Sequence, residues 1–168
     1  WSKRIPADER NRIQLQMRCL LIEHPDGLVL IDTGSGNKDD ARFKDIYGIE
    51  NDGDPGPTAL EDGIREGGDD PADVTWVINT HLHFDHAGGN TTKRQDGTVV
   101  PSFPNATYVV QQGEFDFAAT PNERIRASYL SANYQPVVEA GLFRFLINPP
   151  IALYYVQGLN LTPLHGHT

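Results

Sequence analysis

The sequence predicts one domain of α/β (α+β) class, and three observations carry that prediction. Apolar runs of strand length alternate with segments of helical spacing. The chain has 168 residues, enough for one hydrophobic core. Hydrophobic residues make up 38% and charged residues 22%, a balance that buries a core and excludes a disordered chain.

The elements follow in order. Arg12 to Glu23 has strand-forming character, Pro25-Asp26-Gly27 marks a turn, and Leu28 to Ile31 is a strand of buried type, so the pair reads as a hairpin. Asp32-Thr33-Gly34-Ser35-Gly36 ends the second strand. Asp39 to Ile49 has helical spacing, with Ala41, Phe43, Ile46 and Tyr47 facing inward. Asn51 to Pro57 is a loop, and Thr58 to Arg65 forms a short helix ending near Gly67-Gly68. Val74 to Asn79 is a buried strand that runs into a histidine cluster, and Gly88-Gly89-Asn90 opens a polar loop. Ala106 to Gln111 is a strand, and Gly113 to Ala119 starts a helix. Asn122 to Ala140 is mixed, with helical stretches on either side of Asn133. Leu142 to Ile147 and Ile151 to Val156 read as a pair of short strands around Pro149-Pro150. Leu159 to Leu164 is a last strand, leading into a second histidine cluster. The chain has no internal repeat, low-complexity tract or linker.

Charge and composition narrow the function. A net charge of −9 with scattered Lys and Arg argues against a nucleic-acid partner. The longest apolar runs are too short to cross a bilayer, so no membrane partner is expected. No stretch has the pattern of a signal peptide, and a cytoplasmic location is the expectation. The acidic stretch Asp52, Asp54, Glu61, Asp62, Glu66, Asp69, Asp70 and Asp73 reads as a solvated surface. Cys19 is the one cysteine and sits in an apolar run, which suits a buried structural thiol and not a nucleophile. The Asn-x-Thr sequons at Asn90, Asn105 and Asn160 read as chance.

The chemistry concentrates in Thr80-His81-Leu82-His83-Phe84-Asp85-His86, where four potential metal ligands lie at the end of an apolar strand. In extended chain, residues two apart share a side, so His81 and His83 can grip one ion while Leu82 and Phe84 point into the core. Past Phe84 the chain must turn, and Asp85 and His86 can project toward a second ion. Gly88 and Gly89 let the backbone pack closely there. His165 and His167 form the second cluster, and His24, before Pro25, reads as a surface residue. Structural zinc sites are usually closed and Cys-rich, whereas histidine mixed with carboxylate suits catalysis.

His81 to His86 resembles the HxHxDH signature of the metallo-β-lactamase superfamily, and the run through Asn90 resembles its N-acyl homoserine lactonase branch and parathion-hydrolase-like relatives. Leu30-Ile31-Asp32-Thr33-Gly34 resembles the first motif of that family, and Gly166-His167-Thr168 the opening of its GHTPGH motif. The resemblance implies an αββα sandwich. Residues 1–168 would form a single domain of that type, mainly its N-terminal half and truncated at the C-terminal end, with a bridging Asp and a further His supplied beyond it. It implies one ion on His81, His83 and His167 and a second on Asp85 and His86. His165 rivals His167 for the third position, because Thr162-Pro163-Leu164-His165 resembles a TPGH string. His167 is preferred for its flanking Gly and Thr, which leaves His165 as a pocket residue. Asp32 would support the site without binding metal, and a plain turn role stays open. The cofactors would be two divalent ions, zinc first, with manganese, iron or cobalt as alternatives.

The implied activity is a metal-dependent hydrolase that cleaves a lactone or ester with a metal-activated hydroxide, with Asp85 as the catalytic carboxylate. A phosphotriester hydrolase, a β-lactamase, and a non-catalytic fragment or binding module with an incomplete metal site are the alternatives. Nuclease and diiron oxidoreductase branches are disfavoured, because a basic track is missing and His83 stands where the latter carry a carboxylate. The partner would be a small-molecule substrate, with a homo-oligomer left open. Some of the aromatic residues from Phe115 to Tyr134, Phe117 and Tyr129 among them, would line an apolar pocket.

Overall fold

The computed structural model describes residues 4–54, 56–147, 151–152, 156 and 158–162. The first two strands, β1 (Leu20–His24) and β2 (Gly27–Ile31), form the expected antiparallel hairpin, with Leu20 opposite Ile31 and His24 opposite Gly27. Gly27 has φ 125°, and a Cβ there would meet Thr75 Oγ1 at 2.1 Å, so the turn needs glycine. The predicted first strand is too long. Residues 12–19 stay outside the sheet, with Leu15 and Met17 exposed. Strand propensity fits a half-buried surface, and no ladder covers that stretch.

Helix α1 (Ala41–Tyr47) is capped by the Asp40 side chain, which accepts from Phe43 N at 2.7 Å, and it ends at Gly48 in the left-handed conformation. It buries none of its residues. Ile46 and Tyr47 are exposed, contrary to their expected inward placement, and the aromatic residues of α1 meet Phe84 and not the core of the sheet. Helix α2 (Ala59–Glu66) begins at Thr58 and buries Glu61 and Ile64. The solvated-surface reading of the acidic stretch therefore fails at Glu61, which is 6% exposed and accepts from Thr58 Oγ1. Burial pushes its carboxyl upward. Asp62 is likewise turned to structural use, accepting from the backbone N–H groups of Asp54 and Gly56.

Strand β3 (Val74–Ile78) lies parallel to β2. It is followed by the single turn α3 (Phe84–Ala87) and a small hairpin of β4 (Thr91–Lys93) and β5 (Val99–Pro101). Strand β6 (Thr107–Gln111) pairs parallel with β3 and runs straight into α4 (Gln112–Ala119). After α5 (Gln135–Glu139), β7 (Phe143–Leu146) joins β6 in parallel. The main sheet has the order β1-β2-β3-β6-β7. Strands β8 (Ile151–Ala152) and β9 (Asn160–Leu161) pair antiparallel with each other. The two strands expected around Pro149-Pro150 are β7 and β8, which lie in different sheets among the described residues. Residues 153–155 and 163–164 of the last predicted strands lie outside the described residues.

Both faces of the sheet bury apolar side chains, as parallel strands require. Leu28, Leu30, Val74 and Val77 pack with Ile64 of α2 and Val137 of α5 on one face. Val29, Ile78, Val109 and Val156 gather on the other. The core therefore packs on β2, β3 and β6 from both sides. Among the described residues no helix is long and apolar enough to cross a membrane.

Candidate metal centre

The histidine cluster sits beyond the C-terminal ends of β2, β3 and β6, the crevice where parallel sheets usually place their ligands. Asp32 leaves β2 with φ 56°, a left-handed conformation that Asp tolerates better than most residues, and its N–H donates to Ile78 O at 2.9 Å. This turn aims the carboxylate across to the exit of β3. Oδ1 accepts from Thr80 N at 2.8 Å, and Oδ2 accepts from Thr80 Oγ1 at 2.7 Å and from His86 Nδ1 at 2.8 Å. Asp32 is 7% exposed, so these bonds form away from water.

The acceptor-only character of a carboxylate sets the tautomers around it. His86 carries its proton on Nδ1, and Nε2 is then the lone-pair nitrogen, 3.6 Å from Asp85 Oδ2. Thr80 gives its hydroxyl proton to Asp32, so the 3.1 Å contact between Thr80 Oγ1 and His81 Nδ1 makes that nitrogen the donor too. Asp32 therefore presents Nε2 of both rings in the form that binds metal. The hydrogen bond that His86 donates to Asp32 raises the His86 pKa above its usual value of 6.5. The rings converge: His81 lies 4.7 Å from His83 and 4.0 Å from His86 by centroid. Nε2 of His81 and of His83 is shielded from solvent.

The main chain around the cluster is held from two sides. Leu82 is fully buried, its N–H donates to Glu114 Oε1 at 2.8 Å, and Phe84 N donates to Ser128 O at 2.9 Å. On the other side Thr33 N donates to His86 O at 2.7 Å. A Cβ on Gly89 would lie 2.2 Å from Thr33 O, and one on Gly88 would lie 2.7 Å from Gly36 N, so the expected close backbone approach is present. Lys38 Nζ donates to Gly88 O at 2.5 Å and Thr91 O at 2.7 Å, and burial lowers its pKa to about 8. Gly88–Asn90 is not an open polar loop. It is a buried 3-10 turn in which the amides of Asn79 and Asn90 bond reciprocally at 3.1 and 3.0 Å, and Thr33 Oγ1 donates to Asn90 Oδ1 at 3.0 Å. Asn90 is enclosed, in keeping with reading its sequon as chance.

Two aromatic groups flank the histidines. Phe84 does not enter the core as the extended pattern predicts, because the chain becomes helical at that residue and successive side chains then rotate by about 100°. It packs against Phe43 and Tyr47 of α1, at 4.9 and 4.8 Å between centroids. On the opposite flank Tyr129 meets the His83 ring at 4.7 Å, edge to face, and donates its hydroxyl to Glu114 Oε1 at 3.0 Å. Phe115, by contrast, packs inward against Phe143 and Phe145.

Residues 14–126 match the model of the metallo-beta-lactamase superfamily. The chain belongs to that superfamily. It is 34% identical over 121 residues to an N-acyl homoserine lactonase of Rhizobium johnstonii, a match covering 68% of this chain and 41% of the relative. It superposes on a probable metal-dependent hydrolase from Staphylococcus aureus with a TM-score of 0.71 and 31% identity, over 87% of this chain and 49% of that one. A dizinc quorum-quenching lactonase shares the fold at 22% identity and a TM-score of 0.55, over 81% of this chain and 44% of that one. The chain spans about half the length of the curated relatives it matches, from 41% to 56%.

Within this superfamily member the structure brings His81, His83, Asp85, His86 and Asp32 into one crevice. His165 and His167 lie outside the described residues. Among the described residues no three His, Cys, Asp or Glu side chains are arranged as a set around one ion. The donor chemistry nevertheless fits divalent metal, since imidazole nitrogens with Nδ1 engaged behind them and a neighbouring carboxylate are what such ions take. Sequence reasoning missed Lys38 and Glu114. Each reaches backbone atoms more than thirty residues away, and no local spacing encodes such a contact. Cys19 is part-buried and burial raises its pKa to about 11, which suits a structural thiol.

Proposed function

We propose that this chain carries the metal-binding crevice of a hydrolase that opens a lactone or ester. The observation that carries the reading is the Asp32 relay, which sets both His81 and His86 with Nε2 ready to bind metal. His81 and His83, with His167, would hold one divalent ion, and Asp85 with His86 would hold another. Zinc is the first choice, in keeping with the dizinc lactonase among the fold neighbours. Ions held there supply Lewis-acid polarisation of a carbonyl and lower the pKa of water from about 15.7 to about 7.

The protein's own residues do the rest. Asp85 is the half-exposed carboxylate of the crevice, and its Oδ2 can take a proton from the attacking water and return it to the leaving alkoxide. Asp32 and Thr80 keep His86 and His81 oriented without touching substrate. Phe84, Phe43 and the exposed Tyr47 offer an apolar wall for a substituent such as an acyl chain. The lactonase names of the curated relatives support a lactone with an acyl substituent. Such a substrate is neutral, so the net charge of −9 does not repel it. Five of the described strands share one main sheet, which supports reading residues 1–168 as one domain.

The test combines elemental analysis with a lactone-opening assay followed by proton release. Bound zinc, together with hydrolysis that a chelator removes and zinc restores, is the expected result. Protein that takes up no divalent metal and opens no lactone would overturn the reading. Asp85→Ala should lower kcat by about 10²- to 10⁴-fold.

A further inference from the structure

We propose that Glu114 is a positioning residue of this centre, setting the geometry of His81 and His83 from behind. The inference rests on the metal-centre reading above. Strand β3 ends at Ile78, so the segment carrying the two histidines has left the ladder that shaped it. The rings of His81 and His83 meet at 4.7 Å, and the N–H of the residue that follows each of them is bonded to a distant segment. Glu114 Oε1 accepts from Leu82 N at 2.8 Å, and Ser128 O accepts from Phe84 N at 2.9 Å. These two acceptors take the place of a neighbouring strand.

Glu114 does a second thing with the same oxygen. Oε1 also accepts from Tyr129 Oη at 3.0 Å, and the Tyr129 ring stands edge to face on His83 at 4.7 Å. One carboxylate oxygen thus fixes the peptide between the histidines and the ring that limits rotation of His83. Phe117 backs Tyr129 at 5.8 Å. A buried N–H without its acceptor loses geometry as well as energy. Both bonds end on Oε1, so a glutamine oxygen in the same place can keep them.

The experiment measures zinc affinity by chelator competition for the wild type, Glu114→Gln, Glu114→Ala and Tyr129→Phe, with thermal melts as the folding control. Hydrogen exchange at the Leu82 amide gives a readout independent of metal. Glu114→Ala should bind zinc about 10- to 100-fold more weakly and exchange Leu82 faster. Glu114→Gln should stay close to wild type in both, and Tyr129→Phe should fall between. Unchanged affinity in a folded Glu114→Ala, or a Glu114→Gln as weak as Glu114→Ala, would overturn the proposal. Should Glu114→Ala fail to fold, unchanged affinity in Tyr129→Phe would overturn it. A wild type that binds no zinc would remove the metal-centre reading itself, and the positioning role with it. A wild type that binds zinc with an unaffected Glu114→Ala would remove only the role of Glu114.

Discussion

The loop after β3 and helix α1 meet at Phe84, and they are built in opposite ways. The stretch after β3, from Asn79 to Thr91, is tied down by buried polar bonds: Asp32 to Thr80 and His86, Asn79 to Asn90, and Lys38 to the carbonyls of Gly88 and Thr91. Its glycines sit against the backbone of residues 33–36 with no room for a side chain. The stretch after β2 shares those bonds as far as Lys38, but helix α1 beyond it buries none of its residues and rests on aromatic edges and surface ion pairs such as Arg10–Asp45 and Lys44–Asp52. The residues proposed to bind metal would have to keep their geometry, and their support is buried and directional. The wall proposed for an apolar substituent would need only area, so its support can be loose.

The largest test of this contrast is Gly89→Ala. The new Cβ would meet Thr33 O, a backbone atom that cannot swing away, and a loss of about 4 kcal/mol or more is expected in urea denaturation. A loss below about 1 kcal/mol would mean that the loop after β3 can part from residues 33–36 and that the contrast is overstated.

Asp32→Ala comes next. It removes three bonds of a buried carboxylate and should cost about 2–3 kcal/mol, together with about 10- to 100-fold in metal affinity. Equilibrium dialysis with zinc beside a denaturation curve separates the two effects. Phe43→Ala strikes the loosely held helix α1. Each aromatic contact is worth about 0.5–1.5 kcal/mol, so stability should fall by about 1 kcal/mol, while KM for an acyl lactone rises and metal content stays unchanged. Lost metal with an intact KM would reverse the roles assigned to the loop and the helix.

The pH dependence of the metal-free protein gives a smaller effect. The folded pKa of His86 is raised by Asp32 above 6.5. Its contribution to stability is therefore fully present below about 6.5 and lost as pH rises through the folded value. Wild type should lose stability across that window, and Asp32→Asn should show a flatter profile in urea titrations at several pH values. Smallest of all, Ile46→Ser on exposed α1 should change stability by less than about 0.5 kcal/mol.

Much of this was readable beforehand. The β1–β2 hairpin, β2, β3, β6 and α4 were legible because apolar runs bounded by Gly, Pro and Asp mark buried strands and helix ends whatever surrounds them. The candidate ligands His81, His83, Asp85 and His86 were legible because their spacing is local. The inward face of α1 was misread because spacing shows that a helix has an apolar stripe but not what the stripe meets. Phe84 was misplaced for a related reason: one residue of helix in place of strand sends a side chain to another wall.

The sequence by itself determined the fold class, the superfamily and the cluster of candidate ligands, since each depends on residues close together in the chain. Only the tertiary structure decided which groups stand behind them. Asp32 reaches His86, Lys38 reaches Gly88 and Thr91, and Glu114 reaches Leu82, across separations of more than thirty residues. Such contacts follow from the parallel order of β2, β3 and β6, which brings three distant strand ends to one crevice. A polar side chain in a turn or in the first turn of a helix looks the same in sequence whether it meets water or a buried N–H.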